Sequence, residues 1–145
     1  MKNFTQHKVF SVLKPTILLG VVVLLLVHEM QAQYISNNGA YVNISSGTVV
    51  SMDNITNDNA TTLNNAGTIT LNTLSNAGVT QGNGTYTITG NFTNTGTVAI
   101  GDTNGTVNMN GTSAQMMTMS GSTSFYNLTI NNALGVTLSS TQTII

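Results

Sequence analysis

The chain has 145 residues, only 5% of them Asp, Glu, Lys or Arg, and a formal net charge of −1; an ordinary globular domain carries roughly 25% charged residues. The cations Lys2, Lys8 and Lys14, both histidines (His7 and His28), Pro15 and Glu29 all precede residue 30, and cysteine is absent. From Gln33 onward the ionisable side chains reduce to Asp53, Asp58, Asp102 and four tyrosines, which excludes a Ser-His-Asp triad, a thiol nucleophile, a Schiff-base lysine, a His/Cys zinc site and any disulfide.

Residues 1–32 read as a helical secretory signal peptide. The lysines form a positive first region, and residues 16–27 (TILLGVVVLLLV) form an apolar stretch of 12 residues. A membrane span needs about 20, so the stretch suits a cleaved signal better than an anchor. The expected cleavage follows Ala32. An uncleaved anchor is the alternative, and without cysteine no lipid can be attached at the junction. The product is expected outside the cell or on its surface, meeting the membrane only through this segment during export.

Residues 33–48 are expected to form a lead-in or cap, and residues 49–145 a series of repeats. Apolar and polar residues alternate in Thr68-Ile69-Thr70-Leu71, Tyr86-Thr87-Ile88-Thr89, Thr97-Val98-Ala99-Ile100 and Thr106-Val107-Asn108-Met109. Such period-two patterning marks strands with one buried face. Between them lie Asn64-Asn65-Ala66-Gly67, Asn76-Ala77-Gly78, Asn83-Gly84, Asn94-Thr95-Gly96 and Asn104-Gly105, which are turn formers. Asn-Gly between alternating runs also suits a hairpin, so an antiparallel meander or sandwich is the rival architecture.

Longer-range spacing favours a solenoid. Val49, Ile69, Ile88, Val107, Tyr126 and Ile145 follow at steps of 20, 19, 19, 19 and 19. Val79, Val98, Met117 and Val136 form a second column at 19, and Ile100, Met119 and Leu138 a third, which Gln81 breaks. Leu71, Met109 and Leu128 fit a fourth, with Gly90 as its weak member. A fixed period near 20 is the mark of stacked coils. The expected fold is therefore all-β, a parallel β-helix of about 19-residue coils. Low charge agrees, because identical charges stacked coil over coil would repel one another.

The remaining polar groups offer little chemistry. Asp53 and Asp58 are the one candidate carboxylate pair, in a stretch that reads as a solvated loop. That stretch and Asp102-Thr103-Asn104-Gly105 could supply oxygens to calcium, but neither matches a known calcium-loop pattern. No cofactor or metal is expected, and nucleic acid is excluded for want of cations after residue 32. Thr-x-Thr recurs at Thr68/Thr70, Thr85/Thr87/Thr89, Thr93/Thr95/Thr97 and Thr141/Thr143. On a flat face such an array could meet ice or a polysaccharide, although Thr is also a common outward strand residue.

Near the carboxyl end, Asn110-Gly111-Thr112-Ser113-Ala114-Gln115 leads into Ser124-Phe125-Tyr126-Asn127-Leu128-Thr129-Ile130-Asn131-Asn132 and Gly135-Val136-Thr137-Leu138. This segment resembles the F-x-N-L-T-I-N-N and G-V-T-L runs of large repeat-rich bacterial surface proteins, many of them exported by the type IX pathway. The resemblance implies parallel β-helix stalks and adhesion or extracellular scaffolding. It also implies a carboxyl-terminal sorting domain, which this sequence lacks. Ile145 falls on the next beat of the first column, so further coils of a longer chain are expected beyond it. The expected function is a non-enzymatic stalk or adhesin whose partner is a surface ligand or glycan. The alternatives are an ice- or polysaccharide-binding Thr face and a truncated frame without function.

Overall fold

A computed structural model describes residues 33–101 and 103–139. The expected signal peptide, Asp102, the Thr141/Thr143 pair and Ile145 lie outside these residues. Sixteen short strands occupy the described part. Sheet I stacks β1 (Tyr34–Asn37), β4 (Asn54–Asn57), β7 (Thr73–Asn76), β10 (Phe92–Asn94), β13 (Gln115–Met119) and β16 (Val136–Ser139). Sheet II stacks β2 (Tyr41–Ile44), β5 (Thr62–Asn65), β8 (Val79–Gly82), β11 (Thr97–Ile100) and β14 (Ser122–Phe125). Sheet III stacks β3 (Val49–Ser51), β6 (Thr68–Leu71), β9 (Thr85–Ile88), β12 (Thr106–Met109) and β15 (Asn127–Ile130).

All the strand pairs are parallel, each joining a strand to its counterpart one coil away. Each coil thus contributes one strand to each sheet, and the result is a three-faced parallel β-solenoid. The antiparallel alternative is overturned. Gly84 and Gly105 do not adopt positive φ, whereas Gly39, Gly47, Gly82, Gly101 and Gly135 do. The Asn-Gly pairs therefore turn corners within a coil instead of closing hairpins. Residues 33–48, expected as a lead-in, already hold β1 and β2, which pair with β4 and β5.

The columns that form differ from those expected at a strict step of 19. Sheet III stacks Val50, Ile69, Tyr86, Val107 and Leu128, and beside them Leu71, Ile88, Met109 and Ile130. Ile69, Ile88 and Val107 are fully buried on successive strands, but Ile88 belongs to the neighbouring column. Val49 and Tyr126 point outward, 77% and 57% exposed. Val98 stacks on Thr80, while Met117 and Met119 lie in another sheet, over Phe92 and Asn94. Ile100 stacks between Gly82 and Phe125, Val79 faces outward over Thr62, Val136 sits over Gln115 and Leu138 over Met117.

Unequal corners cause this drift. The coil step is 17 residues from Ile69 to Tyr86 but 21 from Tyr86 to Val107. It reaches 25 from Phe92 to Met117, where the corners 101–105 and 110–114 are both widened. Gln115 fills the second of these corners. Its buried side chain donates to the Ile88 and Gly90 carbonyls and accepts from the Gly111 amide at 2.9 Å.

The interior combines apolar columns with one polar one. Ile55, Leu74, Phe92 and Met117 stack inside sheet I, and full burial of each such side chain contributes roughly 1.5–3 kcal/mol. At the adjoining corner, Asn37, Asn57, Asn76 and Asn94 are buried in one ladder. Each Nδ2 donates to the Oδ1 of the next asparagine at 2.8 Å. Thr61 and Thr80 hydroxyls donate to Asn57 and Asn76, and the amides also reach the Val79 and Thr97 carbonyls. Burial of an amide is tolerated because its donors and acceptors find partners.

Candidate binding faces

Outward side chains of the three sheets form columns spaced by the interstrand distance of about 4.8 Å. On sheet I, Ser36, Thr56, Ser75, Thr93, Thr118 and Ser139 make an unbroken hydroxyl column. On sheet III, Thr68, Thr85 and Thr106 form one column, and Ser51, Thr70, Thr87, Asn108 and Thr129 the next. Residues two apart on a strand share a face, so Thr68/Thr70 lies directly beneath Thr85/Thr87.

The structure sorts the remaining threonines differently. Thr93 is on sheet I and Thr97 on sheet II, whereas Thr89 and Thr95 lie at corners. Among the described residues, Thr68/Thr70 and Thr85/Thr87 therefore combine into a single array, and the third group does not. Their shared phase on alternating strands was the signal; the equal spacing of the third group was not.

Sheet II carries a different column: Asn43, Asn64, Gln81, Ala99 and Ser124. Where it steps from Gln81 to Ala99, Asn64, Gln81, Gly82, Asn83 and Ala99 line a hollow of about 250 Å³. Asn64 Nδ2 donates to Asn43 Oδ1 at 2.7 Å, which holds the Asn64 carboxamide in place. Gly82 has φ +107°, and a Cβ there would collide with the Asn65 carbonyl of the coil beneath. The hollow was missed in the sequence, where Gln81 registers only as a break in an apolar column.

Asp53 and Asp58 flank β4, so about 16 Å of extended chain separates them. The stretch between them is a strand, not the expected loop, and paired carboxylates that cleave glycosides lie roughly 5–10 Å apart. Asp53 Oδ2 accepts from Asn54 Nδ2 at 3.0 Å. Among the described residues, no group of three or more His, Cys, Asp or Glu side chains lies close enough to hold a metal.

One ionisable group is strongly perturbed. Tyr86 is fully buried inside sheet III, and its hydroxyl has no well-formed hydrogen bond. Burial pushes its pKa above the ordinary phenol value, and the neighbouring Asn65 amide offsets only part of that rise. A neutral phenol stacked between Ile69 and Val107 and next to the Asn65 amide suits packing, not proton transfer.

Comparison with known proteins finds no matching family model and no match among curated proteins or solved structures.

Proposed function

We propose that this chain is a non-catalytic module of an exported cell-surface protein, in which the solenoid serves as a stalk and adhesive surface. The observation that carries this reading is the neutrality and continuity of the outward columns. Ser, Thr and Asn repeat over every coil with few ionisable side chains among them, which suits extended, multipoint contact and not a localised reaction. The resemblance of residues 111–138 to repeat-rich bacterial surface proteins, and the signal-like segment 1–32, support an extracellular place. An antibody raised against residues 33–139 should label intact native cells, and mass spectrometry should find Gln33 as the mature amino terminus. Cells lacking the chain should attach less to solid surfaces. Retention in the cytoplasm with Met1 intact would refute this reading.

A second reading is favoured by the stacked Thr68/Thr70 and Thr85/Thr87 pairs, whose regular hydroxyl and methyl positions suit an ordered water lattice. It expects thermal hysteresis that Thr87→Tyr abolishes, and freezing curves identical to buffer would eliminate it.

A further inference from the structure

We propose that the hollow on sheet II is a subsite for a neutral sugar unit of a glycan; this rests on the adhesive reading above and places its contact on one face. Among the described residues, the lining contains three carboxamides, one methyl group and one glycine. A carboxamide both donates and accepts hydrogen bonds, as a sugar hydroxyl does. An anionic ligand would find no cation to pair with, and a lipid tail would find little apolar wall beyond Ala99.

Three features make the hollow a built one. The Asn64 amide is oriented by Asn43, so less freedom is lost on binding. The Gln81 side chain makes no hydrogen bond among the described residues, although it stands in register between Asn64 and Ala99. Gly82 in the lining is held as glycine, because a Cβ there would meet the Asn65 backbone of the coil beneath. Two coils below Gln81 and two residues along the strand, about 12 Å away by strand spacing and rise, Tyr41 stands on the same face and is 64% exposed. Its ring offers an apolar platform for the face of an adjoining sugar, so the site extends to a short oligosaccharide.

The test is affinity electrophoresis of the full chain in gels containing dextran, mannan or xylan, with polygalacturonate as the acidic comparator. Retardation is expected in at least one neutral polymer, and it should persist at high salt because no charge is involved. Gln81→Ala and Asn64→Ala should each weaken it roughly fivefold, the effect of one hydrogen bond. Tyr41→Ala should weaken it as well. Thr87→Tyr on sheet III should leave it unchanged, and circular dichroism should report an unaltered β-structure in every variant. No retardation in any neutral polymer, retardation by polygalacturonate alone, or equal retardation of Gln81→Ala would overturn the proposal. Binding that is lost in Thr87→Tyr but kept in Gln81→Ala would retain the adhesive reading while removing this subsite.

Discussion

Asn76 sits in the middle of the buried ladder, accepting from Asn57 and Thr80 and donating to Asn94 and to the Thr97 carbonyl. Truncation would strip partners from all four groups in a site closed to water. Because unsatisfied buried polar groups each cost about 1–3 kcal/mol, Asn76→Ala should destabilise the fold by roughly 3 kcal/mol. Asn43→Ala, at an exposed position, should cost under about 0.5 kcal/mol. Guanidinium unfolding midpoints separate the two, and equal shifts would mean that the ladder is energetically idle. Tyr86 gives a pH signature of its own. Its folded pKa lies above the unfolded phenol value of about 10, so the unfolded chain loses this proton first. Stability from this group is complete below about pH 10 and declines above it, by roughly 1.4 kcal/mol per pH unit. In Tyr86→Phe this contribution to the alkaline decline should vanish, at little cost near neutrality because the hydroxyl makes no well-formed hydrogen bond. A denaturation series across alkaline pH checks both arms. Neither residue announces its role in the sequence. Asparagine is usually exposed, and ladder steps of 20, 19 and 18 are masked by the many other asparagines.

At the level of elements, alternation was legible and register was not. Ile69, Ile88, Val98, Ile100, Val107, Met117 and Met119 were all expected in the core and are buried. Their stacking partners were misassigned because strands are only three to five residues long, so a corner longer or shorter by two residues moves a side chain to the next column. A corner changed by one residue would instead turn it outward, which is the difference between Val49 and Val50. Corners are where the sequence is under tightest constraint. Gly78, Gly96 and Gly121 stack, and a Cβ on Gly96 would collide with the Gly78 and Ala77 carbonyls. Gly96→Ala should therefore cost about 3 kcal/mol or more, since backbone on the coil beneath cannot yield as a side chain would. Gly135 has φ +84° but open space around it, so Gly135→Ala should cost only about 1 kcal/mol. Thermal unfolding of the two variants tests the order; the reverse order would show that intercoil approach is looser than described.

Across the whole solenoid, stability is a sum of coils and the contacts between neighbours, and this makes register testable by deletion. Removing residues 74–91 joins Thr73 to Phe92 and sets Phe92 where Leu74 stood, over Ile55. Asn94 then meets Asn57, Thr97 meets Thr62, and Thr106 meets Thr68, so inward and outward residues keep their faces. The shortened chain should fold with the same β-signature. Its denaturant dependence should fall by roughly a fifth, in proportion to the surface removed. Removing residues 74–90 instead leaves Asn91 at the inward position and turns Phe92 to solvent, and that inversion propagates along the strand. The second deletion is one residue smaller, yet it should fail to fold or should aggregate. Equal stability of the two deletions, measured by circular dichroism and guanidinium titration, would contradict a stack whose faces are set by alternation along each strand.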